Sequence, residues 1–235
     1  MLIPFHPSVD VLFSTKQDGS MANHEHATQH VDTFLSSKEF ALDRNTIYVT
    51  YGEQNTYTEA VYVDGAQIGK VTCDALYTDT PGHVLVLPVA DCIGTVVYDP
   101  ETSMLGILHL GRHSSVAGLI ESFAIDVADA LGSDPRDWHV WMSPSLRSTH
   151  DLLDYFDPAD TEEWAPFVSR VGTKYAIDTV GHNTSRLLRI GVKHANIHID
   201  PRDTYLDDDL YSHRAAMELG DDTKQGRMIV AARIK

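Results

Sequence analysis

The residues best suited to chemistry are a thiol and an imidazole that follow two apolar runs of the chain. Cys92 comes shortly after the run at 84–89, and His109 comes directly after the run at 104–108. Such short runs, bounded by turn residues, are typical of strands buried on both faces of a sheet. The β pattern continues over 93–98 and a turn follows at 99–102, so the two side chains should lie on neighbouring strands at a similar level of one sheet. That arrangement suits either a metal site or a thiolate–imidazole pair.

The alternative for Cys92 is a plain core residue, because free cysteine is among the most buried residue types. Asp91 directly precedes Cys92 and would either orient a ligand or form a turn contact. We therefore count Asp91 with Cys92 and His109 as candidate catalytic residues. Cys73 has no histidine near it in the sequence, and we expect it to be structural.

Size and charge narrow the classes of function. A chain of 235 residues can bury a sizeable core, and we expect one domain over residues 1–235. The formal net charge of −16 opposes binding to a phosphate backbone, so nucleic acid is not an expected partner. No apolar run approaches the roughly 18 residues of a membrane span, so no membrane association is expected. Two cysteines cannot build a disulfide framework, which makes the reducing cytoplasm the expected location.

The remaining pattern predicts strands and helices that follow one another irregularly. Helices are predicted over 31–42, 114–131 and 175–190, and a loop or short helix over 151–160. Further strands are predicted at 9–14, 46–51, 61–65, 140–142, 197–199 and 228–234. This mixture without strict βαβ alternation favours an α+β or layered α/β domain.

A few basic residues could hold an anion inside this acidic protein. Lys16 lies in a glycine-containing loop after a strand, and Arg112 and His113 precede the predicted helix at 114. Helix N-termini bind anions through free N–H groups and the macrodipole. Arg214 and Arg227 flank a polar stretch near the end of the chain. If these residues lie apart in the fold, each is a surface charge. If the fold brings them together, they would form a phosphate site.

The order of these segments resembles the YfiH-type laccase-domain family, whose members have been called polyphenol oxidases and are better described as purine nucleoside phosphorylases with zinc. Ala90-Asp91-Cys92 matches the most diagnostic motif, Ala-Asp-Cys. The segment at 109–113 resembles His-Ala-Gly-Trp-Arg. The similarity runs over most of the chain and includes the segments at 12–19, 73–82, 143–146, 175–178, 187–192, 211–214 and 226–228.

The resemblance implies a layered α/β (α+β) fold of the YfiH type, with mixed sheets flanked by helices, shared with a cysteine-hydrolase-like toxin domain. It also implies a zinc ion held by one Cys and two His residues. Cys92 and His109 match two of these ligands. The third should come from a Gln-Val-His-Gly motif near residue 50, but Gln54 stands at the histidine's place. Its carbonyl oxygen is a much poorer zinc ligand than imidazole, so the expected zinc site is incomplete.

The chain departs from the family at two more places, which leaves three interpretations open. The Trp-Arg pair is replaced at 112–113, and the cysteine region of the family is replaced at 148–150. In the first interpretation His113, His150 or an N-terminal histidine completes the zinc site. In the second the thiol and the imidazole act without tightly bound metal. In the third catalysis is lost, and a pocket or only the fold is retained.

If the chain is an enzyme, the resemblance implies a purine nucleoside phosphorylase-like pentosyltransferase acting on adenosine- or inosine-like nucleosides. Lys16, Arg112, His113 and Arg214 would then bind phosphate or ribose. The same zinc could instead activate water for deamination, or serve the amide hydrolysis linked to cell-wall precursor editing in bacterial members. The implied partners are a nucleoside and phosphate, with the protein a monomer or homodimer. The alternative is a non-catalytic or repurposed binding protein of this fold.

A copper oxidase is not favoured by the sequence. A type-1 copper site needs two histidines, a cysteine and an axial ligand, and a multicopper site needs many ordered histidines. We therefore expect zinc as the cofactor.

Overall fold

The computed structural model of the chain describes residues 1–22, 25–40, 46–50, 56–64 and 69–235. The helices are α1 (Ala27–Ser37), α2 (Arg112–Ala117), α3 (Leu119–Leu131), α4 (Thr179–Ile190) and α5 (His213–Leu219). The strands are β1 (Leu2–His6), β2 (Val9–Phe13), β3 (Thr46–Thr50), β4 (Ala60–Tyr62), β5 (Gly69–Thr72), β6 (Ala75–Thr78), β7 (Val84–Val89), β8 (Ile93–Asp99), β9 (Met104–Leu110), β10 (His139–Met142), β11 (Leu152–Leu153), β12 (Val168–Val171), β13 (Lys174–Ile177), β14 (Ile197–Ile199) and β15 (Met228–Ile234).

Two mixed sheets of six strands dominate the fold. The first has the order β1-β2-β15-β7-β3-β5 and the second the order β14-β10-β8-β9-β6-β4, while β11-β13-β12 form a small third sheet. β7 belongs to the first sheet, but β8, which follows it in the chain, belongs to the second. The chain therefore crosses between the sheets at residues 90–92, where Cys92 lies.

The alternation of side chains along the strands divides the core into layers. Leu85 and Leu87 of β7 join a core cluster with Ile107 of β9, so the two large sheets pack face to face. The intervening Val86 points the other way, into a cluster with α1. Leu108 of β9 likewise belongs to a cluster with residues of α3 and α4. The layers therefore follow in the order α1, first large sheet, second large sheet, and a layer of α3 and α4. This confirms the predicted layered α/β fold with strands buried on both faces.

Close packing between α3 and β9 requires a glycine on the strand. A Cβ atom at Gly106 would lie 2.4 Å from Cζ of Phe123, a fully buried ring of α3. The helices of the described segments are short and pack on the sheets through one apolar face. Within those segments, no helix has the length and apolarity needed to cross a membrane.

The structure corrects all three predicted helices. The prediction over 31–42 becomes α1, which begins at Ala27 and ends at Ser37, while residues 41–42 lie outside the described part of the chain. The prediction over 114–131 becomes α2 and α3, because Gly118 adopts a left-handed conformation with φ 86° and interrupts the helix. The prediction over 175–190 is wrong at its start, since the residues before Asp178 form β13 and pair with β12. Asp178 then caps α4 by accepting a hydrogen bond from the backbone N–H of Gly181 at 2.9 Å. The apolar residues of β13 continued the helical spacing and hid this boundary.

Stability should fall in mild acid because of His182 on α4. The His182 ring is fully buried and stacks on Trp164 with ring centroids 3.6 Å apart. Burial lowers the pKa of His182 from 6.5 to about 4. Below pH 6.5 the unfolded chain therefore takes up a proton that the folded protein excludes, so the unfolding free energy decreases as pH falls from 6.5 towards 4. We expect a loss of up to about 3 kcal/mol across that window.

The measurement is urea unfolding at about pH 7 and about pH 4.5, for wild type and for His182→Gln, which cannot be protonated. The variant should be less stable at neutral pH but should lose less stability on acidification than the wild type. Equal acid losses in the two proteins would contradict the assignment to His182.

Candidate active site

The structure brings the predicted thiol and imidazole together. Cys92 directly precedes β8, and the pairing of β8 with β9 places Gly94 opposite His109. Both side chains converge on Gly111: a Cβ atom there would lie 2.9 Å from Sγ of Cys92 and 3.3 Å from Nε2 of His109. Only glycine leaves this space, so the backbone at Gly111 forms the floor under both reactive atoms.

The imidazole of His109 is held by a carboxylate that the sequence interpretation missed. Nδ1 of His109 lies 2.7 Å from Oδ1 of Asp74, whose side chain is only 1% exposed. The other carboxylate oxygen of Asp74 accepts a hydrogen bond from the Thr56 hydroxyl at 2.7 Å. The backbone N–H of His109 also donates to the Asp74 carbonyl at 2.8 Å. With Nδ1 bound to Asp74, Nε2 is the ring nitrogen left on the side of Cys92 and Gly111.

The electrostatic environment of His109 favours its protonated form. Burial by itself would lower the pKa of His109, but the neighbouring sulfur of Cys92 and the hydrogen-bonded Asp74 carboxylate raise it to about 9. The carboxylate, the imidazole and the sulfur therefore act as one electrostatic unit.

Asp91 links the sheet crossover to the end of the chain. It has a left-handed backbone with φ 73°, although it is not a glycine. Its carboxylate accepts hydrogen bonds from the Thr204 hydroxyl and from the backbone N–H of Arg214, both at 2.7 Å. Its carbonyl accepts a third bond, from the Leu146 N–H, at 2.9 Å. Of the two predicted roles, these contacts are those of a turn residue that fixes the backbone before Cys92.

A cavity of about 340 Å³ opens over the thiol and the imidazole. Three arginines line it, Arg112, Arg214 and Arg227, together with two aspartates, Asp91 and Asp151, and the hydroxyl-bearing Thr179. Arginines therefore outnumber aspartates in the lining, although the whole protein has a net charge of −16. Its complete lining is Ala90, Asp91, Cys92, Ile93, His109, Leu110, Gly111, Arg112, Leu146, Asp151, Thr179, His213, Arg214 and Arg227.

The other predicted anion-binding residues lie away from this lining. Lys16 lies 6.0 Å from the centre of the Tyr211 ring, and burial lowers its pKa. His113 is exposed and stacks on Tyr57 with ring centroids 5.3 Å apart. Neither residue lines the cavity. Their roles in binding phosphate or ribose stay predictions.

Asp151 was also missed by the sequence interpretation. Its carboxylate is 3.2 Å from Nη2 of Arg214 and 3.5 Å from the Thr179 hydroxyl. Thr179 begins α4, and Arg214 lies in the first turn of α5. No local pattern announces Asp151, because the contacts that define its role come from residues 28 and 63 positions further along the chain.

The described residues supply two adjacent soft donors for a metal ion, Cys92 and His109. They contain no cluster of three or more His, Cys, Asp or Glu side chains arranged to hold a metal. Gln54, the predicted third ligand, lies outside the described residues. His150, a possible replacement, is 2.7 Å from Asp203 and stacks on a tyrosine ring, and it does not line the cavity. The carboxylate–histidine arrangement at Asp74 is the arrangement found behind metal-ligating histidines.

Known proteins are similar to this chain in sequence over about half to three quarters of its length. The purine nucleoside phosphorylase of Deinococcus radiodurans is 31% identical over 124 residues, which cover 51% of this chain and 47% of that protein. The purine nucleoside phosphorylase of Corynebacterium glutamicum is 27% identical over 172 residues, which cover 72% and 68%. The chain thus spans about half the length of the first relative and about two thirds of the second.

Two crystal structures share the fold over nearly their whole length. The hypothetical protein YfiH of Bacillus licheniformis has a TM-score of 0.82 at 21% identity, with 100% of this chain and 99% of that chain covered. YlmD from Geobacillus stearothermophilus has a TM-score of 0.82 at 20% identity, with 99% and 94% covered. At these identities the likeness establishes the fold alone.

A known family matches almost the whole chain. The family described as Multi-copper polyphenol oxidoreductase laccase matches residues 20–235, a range that includes Cys92, His109 and every residue lining the cavity. The chain therefore belongs to this family, whose members include the YfiH-type laccase domains.

Proposed function

We propose that this chain is a purine nucleoside phosphorylase-type enzyme that cleaves adenosine- or inosine-like nucleosides with phosphate. The observation that carries the proposal is the cavity that Cys92 and His109 line together with three arginines. Its volume of about 340 Å³ is at the lower end of the range for small-molecule sites. The names of relatives at 24–31% identity support the same chemistry.

In this reaction a phosphate oxygen forms a bond to the anomeric carbon of ribose. The bond from that carbon to the purine nitrogen breaks, and the base leaves with the electron pair and takes up a proton. The arginines of the cavity hold the phosphate and offset its charge as it approaches the sugar. Arg112 is well suited, since its side chain makes no hydrogen bond or ion pair with the part of the chain that the structure describes.

We propose zinc as the metal of this site, with Cys92 and His109 as two of its ligands and Gln54 as the candidate third. Zinc binding would displace the Nε2 proton of His109. The resulting neutral imidazole, held by the Asp74 carboxylate, and the Cys92 thiolate match the donor preferences of zinc. When bound, the metal would serve as a Lewis acid that polarises the substrate. Asp74 would fix the ring of His109, and Gly111 would leave room for the ion.

The remaining features fit small-molecule chemistry inside a cell. Both cysteines are free, and Cys73 is buried, as expected of a structural cysteine in a reducing cytoplasm. The acidic surface fits a nucleoside and phosphate as partners better than a nucleic acid.

The test is to incubate the purified protein with adenosine or inosine, with and without phosphate, and to measure zinc in the same preparation. Base and ribose 1-phosphate should form only with phosphate present, and elemental analysis should give about one zinc per chain. Ammonia without base release would indicate deamination instead. A zinc-loaded protein that converts neither nucleoside would favour the alternative, a binding protein that keeps the fold.

A further inference from the structure

Asp151 places a negative charge inside the cavity that is proposed to bind phosphate. We propose that Asp151 limits the affinity of the cavity for inorganic phosphate, because its carboxylate pairs with Arg214 and competes with phosphate for that guanidinium. The proposal deepens the proposed function and rests on it in taking phosphate as the anion. It concerns the affinity for that anion and not the bond-breaking step.

The geometry of Arg214 shows that its guanidinium is already engaged. Nη2 donates to Asp151 at 3.2 Å, while Nη1 donates to the Leu152 carbonyl at 2.6 Å and to Glu218 at 3.3 Å. Its backbone N–H is bound to Asp91. An incoming phosphate must therefore displace or share the carboxylate of Asp151 before it reaches the Nη2 edge of Arg214.

The carboxylate of Asp151 is stabilised by positive charge and hardly by solvent. Asp151 is only 7% exposed, and beside Arg214 its carboxylate has one further side-chain contact, the Thr179 hydroxyl at 3.5 Å. Burial raises the pKa of Asp151, and the charges of Arg214 and Arg112 oppose that increase. A carboxylate this poorly solvated depends on the same positive charges that a bound phosphate would use.

Removing the carboxylate charge should strengthen phosphate binding. A unit charge a few ångströms from the anion interacts strongly in a partly buried site, even when solvent and salt screen it. Asp151→Asn keeps the shape and the oxygen that accepts from Arg214, but removes the charge. We expect its dissociation constant for phosphate to fall about tenfold. If the substitution only disturbed the local structure, phosphate would bind more weakly. A gain in affinity therefore distinguishes removal of the charge from loss of structure.

The experiment is isothermal titration of the full chain with inorganic phosphate at fixed ionic strength. Asp151→Ser serves as a second neutral variant in case the asparagine protein folds poorly. Asp154→Asn is the matched control, because it makes the same charge change at an exposed aspartate three positions along the chain. Tighter binding by both Asp151 variants, with Asp154→Asn unchanged, is the expected result.

Three results would overturn the proposal: unchanged affinity in the Asp151 variants, weaker affinity, and no phosphate binding by any of the proteins. Weaker affinity would instead make Asp151 a residue that orients Arg214 for the anion. The proposed function is tested separately by base release. If phosphate binds more tightly to the variants but no nucleoside is cleaved, only the proposed function fails. If nucleosides are cleaved and phosphate affinity does not change, only the role of Asp151 fails.

Discussion

Replacing Cys92 with alanine is expected to lower the rate of base release at least about a hundredfold, since positioned acid–base groups and metal ions typically contribute factors of that size or more. The thiol lines the cavity beside His109, whereas the other cysteine, Cys73, is not among the lining residues. Zinc content should fall well below one per chain in the same preparation. The fold should survive, because Cys92 is only half-buried and forms part of the cavity wall.

Cys73→Ala is the matched control for this prediction. Cys73 is fully buried in the cluster between the two large sheets, and burial raises the pKa of its thiol to about 12. Its replacement should cost about 1 kcal/mol or more of stability through lost packing, with activity and zinc content retained. The measurements are initial rates with saturating phosphate, zinc by elemental analysis, and thermal unfolding. Full activity in Cys92→Ala would remove this residue from the mechanism.

The neighbouring positions of Cys92 and His109 could be predicted because they depend on short-range pattern. Apolar runs at 84–89, 93–98 and 104–108 with a turn at 99–102 define adjacent strands, and the pairing of β8 with β9 then fixes the level of each residue. The sequence did not reveal that β7 and β8 belong to different sheets, since both runs are equally apolar. That difference is what places Cys92 at a crossover and opens space above it.

The residues that orient and tune the site could not be predicted in the same way. Asp74 meets His109 across 35 positions of the chain, and Asp151 meets Arg214 across 63. Such contacts arise from sheet order and helix packing, to which a single aspartate in a loop gives no local clue. The family resemblance covers the segment that contains Asp74 but gives its carboxylate no role. The contact is explained by its place just before β6, whose pairing with β9 sets Ala75 opposite Leu108.

Asp74 provides the second prediction with a large effect, because its almost fully buried carboxylate lies 2.7 Å from Nδ1 of His109. Asp74→Ala should lower the rate of base release about a hundredfold, and Asp74→Asn about tenfold, the range typical of residues that orient a metal ligand. The asparagine can still accept a hydrogen bond from the ring but carries no charge. Asp74 is thus a positioning residue, acting through His109.

Two measurements distinguish positioning from a merely structural role. Zinc affinity, measured by competition with a chelator, should weaken in parallel with the rate, with asparagine intermediate between aspartate and alanine. Asp99→Asn is the matched control, since Asp99 is equally buried at 1% exposure and accepts hydrogen bonds from Ser133 and Thr102. It should lose comparable stability, about 1–3 kcal/mol, while keeping zinc and activity. If Asp74→Asn and Asp99→Asn reduce activity equally, the loss reflects a weakened fold, and the carboxylate behind His109 does not orient it for chemistry.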